Sequence, residues 1–188
     1  MQNRSHSVSR LVILSLLAAL SIALCVFVRF PIFPAAPHLE YDAGDIPLMF
    51  AACLFGPWWG LMVTAVTCAV QAFTVSAASG PIGLIMHLFA TGAFVVIASL
   101  IYRRKQTGAA LLYGLLLGAL ASTALMIPLN LIFTPLYGIP IEVVQKMLLP
   151  VILPFNAIKF FGNSLVTYLL YRPLQGILLH YGKDAPRE

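Results

Sequence analysis

Long apolar stretches constrain this chain more than any other feature of its sequence. Hydrophobic residues make up 61% of the 188 positions, and charged residues only 9%. Several stretches hold about 18 to 22 mostly apolar residues, which is enough for a helix to cross a hydrocarbon core of roughly 30 Å. This composition lies far outside that of soluble domains. The chain is therefore expected to be an all-α integral membrane protein.

Six hydrophobic segments are expected to form one six-transmembrane-helix bundle, a single domain over residues 1–188. They lie at about 11–28, 45–55, 57–76, 81–102, 108–133 and 143–171. The second segment is too short to span comfortably, so it should tilt or lie against the preceding loop. The first segment is longer than a signal-peptide core and lacks a small-residue cleavage site, so it is interpreted as a span.

The distribution of positive charge predicts the orientation of the bundle. If the N-terminus is cytoplasmic, Arg29 and Lys146 fall outside and eight other cations fall inside. The inside group is Arg4, Arg10, Arg103, Arg104, Lys105, Arg172, Lys183 and Arg187. The positive-inside rule then predicts a multi-pass protein of the cell (plasma) membrane with both termini cytoplasmic. The first outer loop, RFPIFPAAPHLEYDAGD, carries three prolines and is expected to be a structured cover.

The last segment contains an unusual polar face within LPFNAIKFFGN. Asn156, Lys159 and Asn163 are spaced three and then four residues apart, which places them on one side of a helix. A lysine inside a span costs on the order of 2.5–3.5 kcal/mol on insertion scales, so its amine should face a cavity or the bundle interior. The alternative is that Lys159 snorkels to the outer interface while the asparagines join helices. The pattern favours a polar ligand site.

Three further polar residues inside apolar segments are candidate ligand contacts. Asn130 follows Pro128 in MIPLNLIFTPLYG, and it could bind a ligand or the backbone that the proline loosens. His87 in GLIMHLFATG and Gln71 in the third segment could bind a ligand or simply join helices.

The loop stretch LEYDAGD adds an aromatic ring and several acceptors. Tyr41 and Asp42 are candidate substrate contacts. Asp45 is expected instead to cap the helix that begins at Ile46, because aspartate at that position accepts hydrogen bonds from unpaired backbone N–H groups.

Small residues form a stripe along the first segment. Ser15, Ala19 and Ala23 recur every fourth residue and are joined by Ala18, so another helix can approach closely there. The stripe could pack within the bundle or against a partner subunit.

Several kinds of chemistry have no sequence basis. The chain has no G-x-x-x-x-G-K-[ST] phosphate loop, no H-E-x-x-H and no G-x-S-x-G motif. The single cysteines Cys25, Cys53 and Cys68 have neither metal-ligand nor redox spacing, so no metal is expected. The chain is not expected to be an enzyme or to bind nucleic acid.

In its motifs, the chain resembles the substrate-binding S component of energy-coupling factor (ECF) vitamin transporters, and most closely the riboflavin-specific members. The similarity is carried by YDAGDIP, LFGPWWGL, SGPIGLIMHLFATG, LNLIFTPLYG and LPFNAIKFFGNSLVTYLLYRPL, which cover most of residues 40–174. Riboflavin-type members usually carry a lysine–asparagine pair where this chain has Thr67 and Cys68, and often asparagine where His87 stands.

The resemblance implies a membrane-embedded vitamin-binding subunit without a cofactor of its own. Its ligand would lie under the first outer loop, and a transmembrane coupling subunit with a pair of ATP-binding-cassette ATPases would supply energy. By the same resemblance Asn156, Lys159 and Asn130 would contact riboflavin. The small residues Ser15, Ala18, Ala19 and Ala23 would form the docking surface. Other possibilities are another vitamin or heterocycle as ligand, an autonomous facilitator or gradient-driven carrier, or, least favoured, a membrane enzyme.

Overall fold

The fold is a bundle of helices with one short β-hairpin at one end. The computed structural model describes residues 2–34, 36, 39–77 and 80–183, and within these the side chains of residues 7–174. The helices are α1 Gln2–Phe27, α2 Asp45–Phe55, α3 Pro57–Phe73, α4 Gly80–Lys105, α5 Gly108–Phe133, α6 Ile141–Met147 and α7 Leu153–Lys183. The strands are β1 Arg29–Pro31 and β2 Glu40–Asp42. Of the cations used to predict orientation, Arg187 and the side chains of Arg4 and Lys183 lie outside this description.

Four helical stretches in the described residues are long and apolar enough to cross a membrane. They are Ser7–Phe27, Gly80–Lys105, Gly108–Tyr137 and Ile141–Leu174. The helix α2 is also apolar but has only 11 residues, and α3 has 17. The chain is thus a helical multi-pass membrane protein, as its sequence predicts.

The last hydrophobic segment is longer and less regular than predicted. It begins at α6, passes through a π-helical turn at Leu148–Ile152 and continues as α7. Pro150 and Pro154 lie in or beside this turn. Neither has a backbone N–H, so the ordinary α-helical hydrogen-bond pattern is interrupted twice within one turn.

The apolar core lies where α2, α4, α5 and α7 meet. Phe94 of α4 and Phe160 of α7 pack with ring centroids 5.4 Å apart. Helices α4 and α5 approach very closely at Gly114, where an added Cβ would lie 2.6 Å from the carbonyl oxygen of Ala98. This close contact fixes the two helices that form one wall of the site described next.

The hairpin is held against α1 and against the start of α2. Its strands pair antiparallel, with Arg29 opposite Asp42 and Phe30 opposite Tyr41. The Ser21 hydroxyl of α1 donates a 2.7 Å hydrogen bond to the carbonyl oxygen of Gly44. The proline-rich first loop is therefore a structured excursion at its two described ends.

Candidate ligand-binding site

A cavity of about 390 Å³ lies between the hairpin and helices α3 to α7. Apolar and aromatic side chains form much of its wall, including Leu84, Met126, Phe155 and Phe160. Small-molecule pockets commonly measure about 300–1,000 Å³ and combine apolar walls with a few polar groups. The cavity therefore has the size and the character of a site for one small organic molecule.

Six of the eight predicted substrate contacts line this cavity. They are Asn156, Lys159, Asn130, His87, Asp42 and Gln71. The other two, Tyr41 and Asn163, lie behind its wall, where they hydrogen-bond each other. Residues from the first loop and from four different helices are thus brought together, although they are far apart in the chain.

Lys159 points into the protein and pairs with a carboxylate of the first loop. Its Nζ lies 2.6 Å from Oδ2 of Asp42, and both side chains are buried. The ion pair satisfies the amine without solvent, so the snorkelling alternative is wrong. A lysine within a span normally faces the bundle interior and pairs with another charged group, and Lys159 does so here.

Further hydrogen bonds fix the orientation of Asp42. Its Oδ1 accepts one from the backbone N–H of Gly44 at 3.0 Å, while Oδ2 faces Lys159. Burial raises the pKa of the Asp42 carboxyl, but nearby positive charge, chiefly that of Lys159, and the hydrogen bonds from Lys159 and the Gly44 N–H together outweigh burial, so this pKa lies below its usual value. Asp42 is therefore a carboxylate in the folded protein.

Asn163 connects three elements behind the cavity. Its Nδ2 donates to the carbonyl oxygen of Asp42 at 3.1 Å and to Oδ2 of Asp45 at 3.0 Å. Its Oδ1 accepts a 2.7 Å hydrogen bond from the Tyr41 hydroxyl. Burial and the neighbouring carboxylates of Asp45 and Asp42 raise the pKa of Tyr41, which keeps its hydroxyl a donor. These bonds attach β2 and the start of α2 to α7.

The prediction that Asp45 caps α2 is wrong. The helix begins at Asp45 itself, and its N-cap residue Gly44 makes no side-chain capping bond. The Asp45 carboxylate instead turns inward, where it accepts hydrogen bonds from Thr91 at 3.1 Å and from Asn163 at 3.0 Å. Donors from α4 and α7 thus replace the backbone donors expected at the helix start.

Asn156 and Asn130 each use part of their hydrogen-bonding capacity on the protein. The Nδ2 atom of Asn156 donates to the carbonyl oxygen of Ile152 at 2.8 Å, and that of Asn130 donates to the carbonyl oxygen of Met126 at 2.8 Å. Asn130 also accepts a 3.0 Å bond from the Thr134 hydroxyl. A carboxamide has two N–H donors and an oxygen with two lone pairs. Each side chain is therefore held in place while keeping capacity for a ligand.

Gln71 has a buried acceptor that makes no hydrogen bond to the described protein. The side chain is only 8% exposed and lines the cavity, yet its Oε1 has no hydrogen-bond partner among the residues that the structure describes. A buried acceptor left unpaired is costly. A ligand donor at this point of the cavity would remove that cost.

The positions at which this chain differs from the pattern implied by its resemblance to riboflavin-type S components lie on α3 and α4. Cys68 lines the cavity one helical turn before Gln71, and Thr67 is buried beside it. His87 contributes to the cavity from α4. The departures therefore concern the wall formed by α3 and α4, whereas the asparagines and Lys159 belong to α5 and α7.

The hairpin covers one side of the cavity and is bonded to the segment that follows α3. Arg29 and Glu40 form an ion pair across the two strands, and both line the cavity. The Arg29 guanidinium also donates a 2.7 Å hydrogen bond to the carbonyl oxygen of Val75, beyond the end of α3. The rings of Phe30 and Tyr41 pack 5.2 Å apart on the hairpin.

Sequence reasoning missed most of the apolar wall. Ile152, Phe155 and Phe160 line the cavity together with Asn156 and Lys159. These positions follow the three- and four-residue spacing of one helical face. Extending the polar face of α7 by that spacing would have found them.

Two remaining predictions concern metals and the small-residue stripe. In the described part of the chain, no three His, Cys, Asp or Glu side chains are grouped closely enough to hold a metal ion.

On α1, Ser15 and Ala19 are exposed, while Ala18 and Ala23 are partly buried. Ala18 packs against the core, so the stripe lies at the edge between the bundle and its surroundings.

A multi-pass helical bundle that encloses a small-molecule cavity under a structured loop defines a membrane-embedded binding protein. Residues 9–171 match the family described as ECF transporter, substrate-specific component. The chain belongs to this family, which confirms the resemblance seen in its sequence and makes it a transporter component that binds substrate.

Individual relatives agree with this assignment. The chain is 31% identical to Riboflavin transporter RibU of Staphylococcus aureus over 90% of this chain and 92% of that protein. It is 28% identical to Riboflavin transporter FmnP of Bacillus subtilis over 89% of this chain and 93% of that protein. A solved structure described as "Structure and mechanism of the S component of a bacterial ECF transporter" superposes with a TM-score of 0.77 at 32% identity, covering 92% of this chain and 98% of the other.

Proposed function

We propose that this protein captures riboflavin in the cavity under the hairpin and delivers it to an ECF-type ABC importer. The observation that carries the proposal is the meeting of Asn156, Lys159, Asn130 and Gln71 in one apolar cavity. Riboflavin transporters among the relatives support the choice of ligand.

The chemistry of the cavity suits a flavin. Isoalloxazine is a flat apolar ring system with a hydrogen-bonding edge, and riboflavin adds an uncharged polyol tail. The aromatic side chains of Phe155 and Phe160 offer a wall for the ring. The carboxamides of Asn156, Asn130 and Gln71 offer donors and acceptors for its edge and tail.

The proposal extends to topology and partners. We infer that the chain is a single domain with six membrane helices, of which α2 and α3 are short. The protein would lie in the plasma membrane with both termini in the cytoplasm. The stripe of Ser15, Ala18, Ala19 and Ala23 would dock on a transmembrane coupling subunit that is driven by a pair of ABC ATPases. Small residues there allow close helix approach.

Titration with riboflavin tests the proposed ligand directly. Purified protein in detergent should quench flavin fluorescence in a saturable manner, because the ring becomes buried among aromatic side chains. Asn156→Leu should weaken binding, whereas Gln145→Leu, which changes an exposed amide on α6, should leave it unchanged. Unquenched flavin at micromolar protein would reject riboflavin and favour another heterocycle, a possibility to which the α3 and α4 departures point.

Energy coupling needs a separate experiment. Proteoliposomes that contain this chain alone should bind riboflavin without accumulating it, because the chain has no ATP-binding motif. Sustained accumulation in these vesicles would favour an autonomous carrier instead.

A further inference from the structure

The formal charges on the cavity wall cancel in pairs. Leaving aside the titratable His87, the described residues that line the cavity include two cations and two anions, Arg29, Lys159, Glu40 and Asp42. Arg29 pairs with Glu40, and Lys159 pairs with Asp42 at 2.6 Å. The cavity therefore offers polar groups to a ligand without offering it a free lysine or arginine charge.

The Lys159–Asp42 pair is held by its surroundings. Asp42 accepts hydrogen bonds from the Gly44 N–H at 3.0 Å and from the Cys25 thiol at 3.5 Å, so the carboxylate cannot turn away from Lys159 without losing them. A second carboxylate, Asp45, is buried nearby and has the neutral donors Thr91 and Asn163 as partners. The electrostatic field around the Lys159 amine is therefore not that of an isolated cation.

We propose that Asp42 is a specificity-determining residue, which neutralises Lys159 so that the cavity binds uncharged flavins more tightly than anionic ones. The inference rests on the proposed function. A phosphate or carboxylate group that leaves water needs a cationic partner to offset its desolvation. With Lys159 already paired, an anionic ligand would have to displace Asp42 and leave that carboxylate buried and unpaired.

Competition between charged and uncharged flavins tests this role. The dissociation constants of riboflavin, flavin mononucleotide and 10-carboxymethylflavin are measured by flavin fluorescence for wild type, Asp42→Asn and Lys159→Gln. The two anionic probes place their charge at different distances from the ring. In Asp42→Asn, the ratio of the anionic to the riboflavin dissociation constant should fall at least about tenfold for one of them, because Lys159 is then unpaired.

Two further variants make the comparison specific. In Lys159→Gln the ratio should rise, because an unpaired Asp42 carboxylate repels anions, and in the double variant it should return toward the wild-type value. Glu142→Gln removes an exposed carboxylate on α6 and should leave the ratio unchanged. Thermal unfolding of each unliganded variant shows whether it is folded. If Asp42→Asn does not fold, Lys159→Gln and the double variant decide the question.

The possible results separate this inference from the proposed function. Wild type that binds no riboflavin contradicts the proposed function. Wild type that binds riboflavin, with ratios that do not change in folded Asp42→Asn or Lys159→Gln, overturns the role of Asp42 and leaves the proposed function standing. Ratios that change equally in Glu142→Gln also overturn it, because a general charge effect would then explain them.

Discussion

Among single residues, Gln71 gives the clearest evidence that the cavity binds a ligand. Its acceptor is buried in the wall without a partner among the described residues, whereas the Nδ2 atoms of Asn130 and Asn156 each bond to a backbone carbonyl. An unsatisfied buried acceptor lowers stability unless a ligand supplies a donor. Gln71 should therefore contribute to affinity and not to the stability of the empty protein.

Replacing Gln71 with methionine tests this expectation. Methionine keeps the length of the side chain and removes the acceptor, so the unliganded protein should be as stable as wild type or more stable. The riboflavin dissociation constant should rise about 2- to 12-fold, the equivalent of one hydrogen bond of about 0.5–1.5 kcal/mol. Thermal unfolding without ligand and flavin titration measure the two effects. Equal affinity in Gln71→Met, or the same loss in exposed Gln145→Met, would contradict the role.

Residue types in the sequence predicted which side chains line the cavity better than they predicted which side chains bond to each other. The cost of a lysine in a span showed that Lys159 faces inward. Its partner Asp42 lies 117 residues away, and no sequence pattern links a loop carboxylate to one particular helix face. Asp45 was misassigned for the same reason, since a local capping rule cannot include donors that α4 and α7 bring from elsewhere in the chain.

At the scale of elements, the hairpin is positioned by a close approach to α1. Gly44 has ordinary right-handed helical dihedral angles, so it is not required for its backbone conformation. An added Cβ, however, would lie 2.2 Å from the Cys25 sulfur and 3.0 Å from Oδ1 of Asp42. Glycine is needed there for space, and the space lets α1 and the Asp42 carboxylate come together.

Gly44→Ala should therefore displace α1 from the hairpin and disturb the Asp42–Lys159 pair. We expect a loss of about 1–3 kcal/mol in the free energy of unfolding, as for other overpacked sites, together with weaker riboflavin binding. The matched control is Gly162→Ala in α7, where the added Cβ would meet only the Tyr41 ring at 3.7 Å. That change should stabilise the helix by about 0.5–1 kcal/mol. Similar unfolding temperatures for both variants would show that the contact at Gly44 is not tight.

Hydropathy predicted the elements themselves well where apolar runs are regular. It could not predict the π-helical turn at Leu148–Ile152, because that turn depends on how two prolines interrupt the backbone hydrogen bonds. It also gave no sign of the hairpin, whose strands have three residues each. Such short strands carry no readable alternation of polar and apolar residues.

At the scale of the whole molecule, α1 lies at the edge of the bundle and leaves part of its surface uncovered. It packs on α2 and α3, while Ser15 and Ala19 remain exposed. A flat, small-residue surface on an outer helix suits a transient contact with another membrane helix. No described residue of α1 lines the candidate cavity, so docking and binding should be separable by mutation.

Ala19→Trp should abolish ATP-driven riboflavin uptake and leave riboflavin affinity unchanged. The reason is that a bulky side chain would keep a partner helix away without reaching the cavity. Uptake is measured in proteoliposomes that contain the coupling subunit and the ATPases, and affinity is measured by flavin titration. Leu165→Trp, at an exposed position on α7, is the control and should keep both activities. Loss of folding in Ala19→Trp would mean that the stripe packs within the bundle.

The proposed function requires that the cavity under the hairpin holds riboflavin. Its most direct test is mass spectrometry of the small molecules released when the protein, purified from riboflavin-replete cells, is denatured. We expect near-stoichiometric riboflavin from wild type and much less from a folded Ala90→Phe variant, because Ala90 lines the cavity and is 2% exposed. A different heterocycle released from wild type, or equal riboflavin from both proteins, would contradict it.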